Sequence, residues 1–156
     1  MIMKRKPALD DRRIFTLIVQ ELLPYSRITR TSIRMKAIKE RLNKGTTYVA
    51  RTAAGQCVGF ILLRKVEQDY WIDMLAIDGK WQGRQLGTRL LFAAERTIKR
   101  RKGTPSSVRL FVDRSNARAL QFYMRHQYKT IGYERQADCY VLEKRLSTAG
   151  SPSGSS

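Results

Sequence analysis

The sequence predicts a single α+β domain, and three observations point to it. Apolar patterning gives the order strand, two helices, three strands, helix, strand, helix and two closing strands. The middle strands turn back on themselves at Ala54-Gly55 and Gln68-Asp69, the punctuation of hairpins. A length of 156 residues, 42% of them hydrophobic, suffices for one core and is short for two.

Taken in order, residues 2–6 read as a short strand stopped by Pro7. Asp10 then caps a helix that places Ile14, Leu17, Ile18 and Leu22 on one face and closes at Pro24. A second helix is expected over 26–44, with Met35, Ile38 and Leu42 inward and Gly45 as its stop. Its outer face carries Arg27, Arg30, Arg34, Lys36, Lys39, Arg41 and Lys44 against a lone Glu40. Strands follow at 46–51 and 57–66, rich in β-branched residues. After the central strand comes a helix over about 87–102, ended by Gly103-Thr104-Pro105. A buried strand at 108–112, a helix capped by Ser115 that runs to His126, and a hairpin of 128–133 with 137–146 complete the domain. Residues 147–156 have neither apolar side chains nor charge to order them, so a disordered tail is expected.

The centre of the chain is the stretch 71–91. The run from Ile72 to Ile77, interrupted only by Asp73, reads as a strand buried on both faces. Gln82, Gly83, Arg84 and Gly87 then form a small loop before Leu90, Leu91, Ala94 and Ile98 take up helical spacing. The first N–H groups of a helix lack internal partners and sit at its positive end, so this strand, loop and helix form a candidate phosphate site. A side chain at Gly87 would push the backbone from the phosphate, and Arg84 and Arg89 could add charge from the flanks. Neither GxGxxG nor GxxxxGK[ST] occurs, which argues against dinucleotide and nucleotide folds.

Gln82-Gly83-Arg84-Gln85-Leu86-Gly87 resembles motif A, Q/R-x-x-G-x-G/A, of the GNAT superfamily of N-acetyltransferases. Asn116 to Tyr123, NARALQFY, resembles the N-x-x-A-x-x-F-Y of the family's motif B, in the same order along the chain. Gln85 stands where the first motif glycine does, and Gln127-Tyr128 where Gly-Phe usually follows the second helix. The resemblance covers residues 2–146, taken as one domain from 1 to 146. It implies a mixed, mainly antiparallel sheet of six or seven strands with about four helices, splayed between the central strand and the next. It also implies acetyl-CoA as co-substrate. The pantetheine arm would pair with the backbone of Leu75, Ala76 and Ile77. The diphosphate would meet Gln82, Gly83, Arg84, Gln85, Leu86, Gly87 and Thr88, with Asn116 near the arm.

The implied reaction is aminolysis of a thioester, which needs a neutral amine, a donor for the oxyanion and a proton for the leaving sulfur. By the same resemblance Tyr123 protonates the sulfur and the Leu75 amide holds the oxyanion. Asp73 is the candidate base, because strict alternation would place it on the face of Leu75 and Ile77, and a carboxylate in an apolar strand is costly unless used or paired. Glu67 and Asp69 are weaker candidates.

The composition bounds the partners. Lysine and arginine number 31 against 13 acidic residues, a net charge of +18. Such a field favours anionic ligands, and coenzyme A with its phosphates accounts for part of it. The arginines of the first two helices favour an amine acceptor, small molecule or protein, that carries an anionic group, and the basic surface suggests weak association with nucleic acid. The longest apolar piece near the start, Ile14 to Val19, is too short for a signal peptide or membrane span, so a cytoplasmic protein is expected. Cys57 and Cys139 then read as reduced thiols, and His126, the only histidine, excludes a zinc constellation, so no metal is expected.

Overall fold

The computed structural model describes residues 1–25, 34–101 and 107–146. Seven strands form one sheet in the order β1-β2-β3-β4-β5-β7-β6. They are β1 (Ile2–Lys4), β2 (Thr46–Arg51), β3 (Cys57–Val66), β4 (Asp69–Ile77), β5 (Ser107–Asp113), β6 (Lys129–Glu134) and β7 (Cys139–Arg145). Every neighbouring pair is antiparallel except β4 and β5. Among the described residues the α-helices are α1 (Pro7–Leu17), α2 (Met35–Lys44), α3 (Leu86–Lys99) and α4 (Ala117–Arg125). The α+β architecture expected from the sequence is the one observed.

Two apolar cores lie on opposite faces of the sheet. One buries Leu90, Leu91, Ala94 and Ile98 of α3 with Tyr123 of α4 against Ile61, Leu63, Tyr70, Ile72 and Leu110. The other buries Ile14 and Leu17 of α1 and Ile38 and Leu42 of α2 against Phe60, Leu62, Met74 and Ala76.

Several boundaries differ from the sequence reading. Pro7 starts α1 rather than stopping β1, since its missing N–H costs nothing at a first helical position. Asp10 lies inside that helix and accepts the Lys6 N–H at 2.7 Å. The helical path continues as a π turn at Ile18–Leu22 and a 3-10 turn at Leu23–Tyr25, carrying Pro24 within it. α2 begins at Met35, and the segment 26–33, with Arg27 and Arg30, lies outside the described residues, as do Gly103-Thr104-Pro105 and the tail 147–156. Asn116, not Ser115, caps α4, its Oδ1 accepting the Ala119 N–H at 3.1 Å while Ser115 bonds Asp113. Among the described residues no helix is long and apolar enough to cross a membrane.

A buried ion pair fastens α1 to the sheet. Asp10 is wholly buried and accepts two hydrogen bonds from the guanidinium of Arg51 on β2, itself 7% exposed. That bond outweighs desolvation and raises the Arg51 pKa, so the guanidinium stays charged. Arg13 on the same helix reaches Asp78, just after β4, at 3.1 Å and the Cys57 carbonyl at 3.1 Å. Burial pushes the Cys57 thiol up to about 11, which makes it a packing group rather than a nucleophile.

Candidate active site

β4 decides the geometry. Its register to β3 runs Ile61↔Leu75 and Leu62↔Met74, then jumps to Leu63↔Ile72, so Asp73 is an extra residue with no opposite number. Such a bulge bends its strand and reverses the alternation beyond it. Tyr70 and Ile72 before the bulge face the α3 core, and so do Leu75 and Ile77 after it. Asp73 instead meets Arg64 and, at 3.4 Å, Arg41 of α2, on the opposite face. The alternation argument that placed Asp73 beside Leu75 and Ile77 therefore fails, because one surplus residue changes the parity. β4 alternates between buried and half-buried positions rather than being buried on both faces.

The pairing with β5 stops at the same place. β4 and β5 share only Tyr70↔Val108, Trp71↔Arg109 and Ile72↔Leu110, while β5 continues to Asp113 alongside β7. Beyond Ile72 the two strands diverge. The Asp78 N–H donates to the Val58 carbonyl at 2.8 Å, which fixes the phase of the β3–β4 ladder. Hydrogen-bonded pairs alternate in an antiparallel ladder, so Met74 and Ala76 bond to β3. Leu75 and Ile77 point their N–H and C=O groups the other way, into the gap. Ala76 therefore differs from its neighbours: its main chain is engaged by β3. Glu67 and Asp69 stand at the far end of β4, where Asp69 pairs with Arg109 at 3.6 Å.

At the near end, Gly79–Trp81 forms a 3-10 turn that leads to the start of α3. Gln82 donates from Nε2 to the Ile77 carbonyl at 3.0 Å and to Glu21 at 3.4 Å, and Glu21 also accepts the Gly79 N–H at 2.8 Å. Sequence reasoning missed Glu21, because a polar residue ending an amphipathic helix reads as surface. Its signal lies in the π turn, an insertion that re-aims side chains and recurs at functional sites. Arg84 stacks over the Trp81 ring at 4.6 Å, beside the loop. Arg89 does not flank the loop. It lines a groove on the side of α3 that faces β1 and β2.

The first turn of α3 holds no acidic side chain, and its first internal bond is from the Arg89 N–H to the Gln85 carbonyl. The amides of Leu86, Gly87 and Thr88 are thus presented at the positive end of a 14-residue helix. A Cβ added to Gly87 would meet Phe122 at 3.4 Å and Ile77 at 3.8 Å, so this glycine also lets α3 approach α4 and β4. Alanine fits there. A longer side chain has no room toward Phe122 and must turn into the gap.

Gln85 adopts φ 62° and Gln127 φ 71°, both left-handed. These are the two positions where the motif resemblance expects glycine, and the positive φ supplies the reason for it. Gln85→Gly and Gln127→Gly are each expected to stabilise the fold by about 1 kcal/mol, since a left-handed L-residue is strained by roughly that amount. Denaturant midpoints at constant slope will measure it.

On α4, Tyr123 is 7% exposed and packs edge-on against Phe122 at 5.2 Å and Tyr128 at 5.5 Å. Among the described residues nothing hydrogen-bonds its hydroxyl. Burial raises its pKa far above the usual phenol range. Tyr128 is buried with an unpartnered hydroxyl, where a Phe would have left none. His126 joins Thr88 at 3.0 Å, tying the end of α4 to the start of α3, and burial lowers its pKa, aided by Lys144. Asn116 spends its carbonyl oxygen on the helix cap. Among the described residues no group of three or more His, Cys, Asp or Glu side chains could hold a metal ion.

A profile of the acetyltransferase (GNAT) domain matches residues 20–142. The chain belongs to the GNAT acetyltransferase family. Solved structures of the GNAT fold superimpose over nearly the full length. Ard1 from Thermoplasma volcanium is 20% identical with a TM-score of 0.76, covering 94% of this chain and 97% of that one. PaiA N-acetyltransferase from Thermoplasma acidophilum, solved with coenzyme A, is 20% identical with a TM-score of 0.72, covering 94% and 99%. The ribosomal-protein-S18-alanine N-acetyltransferase of Escherichia coli is 16% identical with a TM-score of 0.73, covering 96% of both. No curated protein sequence gives a significant match. At these identities the solved structures speak for the GNAT fold, and the profile for the family.

Proposed function

We propose that this GNAT domain, residues 1–146, transfers the acetyl group of acetyl-CoA to a primary amine by direct attack in a ternary complex. The observation that carries the reading is the gap beyond Ile72, lined by the outward main chain of Leu75 and Ile77 and ending on the free amides that start α3. An extended amide-bearing arm completes the unpaired edge of β4, and its diphosphate rests on the amides from Gln82 to Thr88. The Leu75 N–H stabilises the oxyanion as the amine nitrogen bonds to the carbonyl carbon. The C–S bond then breaks, and the sulfur takes its proton from the Tyr123 hydroxyl. The Asn116 side-chain amide, its oxygen capping α4, donates from Nδ2 toward the arm.

Asp73 is unsuited to deprotonating the amine, since Arg64 and Arg41 hold it on the far face; its role in this reading is to secure the bulge. Glu21, at the open end of β4, takes the amine's proton through water. The cationic outer face of α2, where Arg34, Lys36, Lys39, Arg41 and Lys44 are exposed, favours an acceptor with an anionic group.

Two measurements test this. At 100 times its Kd, acetyl-CoA is expected to stabilise the fold by about 2.7 kcal/mol, seen as a rise in Tm. Gly87→Glu is expected to remove that rise while Gly87→Ala keeps it. Thiol release with a panel of acidic metabolites and basic peptides then reads turnover. No stabilisation by acetyl-CoA overturns the site, stabilisation without thiol release for any amine overturns the reaction, and a clear preference for lysine-rich peptides overturns the anionic acceptor.

A further inference from the structure

Along α3, Arg89, Arg96 and Arg100 fall at i, i+7 and i+11, one stripe about 16 Å long. They face Ile2 and Tyr48 across a shallow groove. A second groove begins where the first ends, with Lys44, Lys65 and Arg101 around Thr46 and Tyr70. Thr46 and Tyr48 are two residues apart on β2 and share a face, and Arg100 and Arg101 are adjacent, so the two grooves lie side by side on one face of the sheet. No aspartate or glutamate lines either. Elsewhere arginines are neutralised, Arg13 by Asp78, Arg64 by Asp73 and Arg109 by Glu143. Arg89, Arg96 and Arg100 are exposed and pair with no carboxylate among the described residues.

One exposed aromatic ring is set among these charges. Phe92, 47% exposed, lies between Arg89 and Arg96, whereas the Tyr70 ring is buried beneath Lys65 at 5.6 Å and Arg101 at 5.3 Å. A carboxylate-free strip of cations with an exposed aromatic ring beside it suits unpaired bases on a phosphodiester chain. A duplex would leave the Phe92 ring without a base to stack on, and the shallow strip projects no element into a major groove. A bilayer is a poor fit, because the apolar side of α3 is buried against the sheet and leaves Phe92 alone outward.

We propose that this strip binds single-stranded RNA, the form in which RNA most often offers its bases to proteins. The inference does not depend on acetyl transfer, and its test needs no acetyl-CoA. Anisotropy of an end-labelled mixed-sequence RNA of about 20 nucleotides is read from about 50 to 200 mM salt. Arg96→Gln with Arg100→Gln is expected to weaken binding about tenfold at low salt and to reduce the slope of log K against log salt by about 1.4, at about 0.7 for each phosphate no longer neutralised. Phe92→Ala is expected to cost about fivefold or more through lost stacking. Lys36→Gln with Lys39→Gln on α2 removes the same charge and is expected to change affinity by less than about twofold. Arg96, Arg100, Lys36 and Lys39 are exposed, so Tm should not move in those variants, while Phe92→Ala also loses the ring contact with His126 and is compared at a temperature well below its own Tm. The proposal is overturned by absence of RNA binding at low salt, by equal damage from the α2 pair, or by binding of duplex DNA, single-stranded DNA or anionic vesicles as tight as that of RNA.

Discussion

Tyr123→Phe is expected to lower kcat by about 10²- to 10⁴-fold, the usual worth of a positioned proton donor, with little change in acetyl-CoA affinity. The ring contacts with Phe122 and Tyr128 do not use the hydroxyl, so phenylalanine keeps the packing and loses only the proton. Burial holds the phenol protonated across the working range, so its ionisation adds no alkaline fall to the rate profile. The rate should instead climb with pH until the acceptor amine is neutral. Thiol release under saturating acetyl-CoA gives the comparison. An unchanged kcat in the variant removes Tyr123 from the reaction.

The largest expected effect on stability comes from Asp10→Asn. The substitution conserves shape and leaves the Arg51 guanidinium buried without a counter-charge, a loss of about 3–5 kcal/mol. Most domains have only about 5–15 kcal/mol in total, so Tm should fall by roughly 10 °C. Arg13 to Asp78 runs from the same helix to the loop below β4, so looser docking of α1 should also weaken acetyl-CoA binding. Paired denaturant and ligand titrations will separate the two effects. A variant within about 1 kcal/mol of the parent would show that Arg51 finds other partners.

Most of the fold could be read from residue patterns, because strands such as β3 and helices such as α3 are periodic enough to survive any tertiary context. The main-chain part of the site was legible for a different reason. Gly83 and Gly87 mark a loop whose backbone must come close to something, and a loop of that length before a helix has few uses. What stayed hidden depended on register and on long-range packing. The cap of α4 fell on Asn116 because Ser115 was taken by Asp113, a competition between neighbours that composition does not resolve. Glu21 became visible only when the π turn brought it to Gly79, 58 positions away in the chain. The carbonyl phase of β4 needed one observed bond, from Asp78 to Val58.

The extra residue at Asp73 has a wider consequence. β4 leaves β5 at the point where it holds one residue more than the stretch of β3 opposite. Point replacements at 73 can loosen the two arginines that clasp it and still leave the sheet parted there. Shortening the chain by that one residue would straighten the strand, let it zip onward against its parallel neighbour, and erase the cleft with every side chain around it intact.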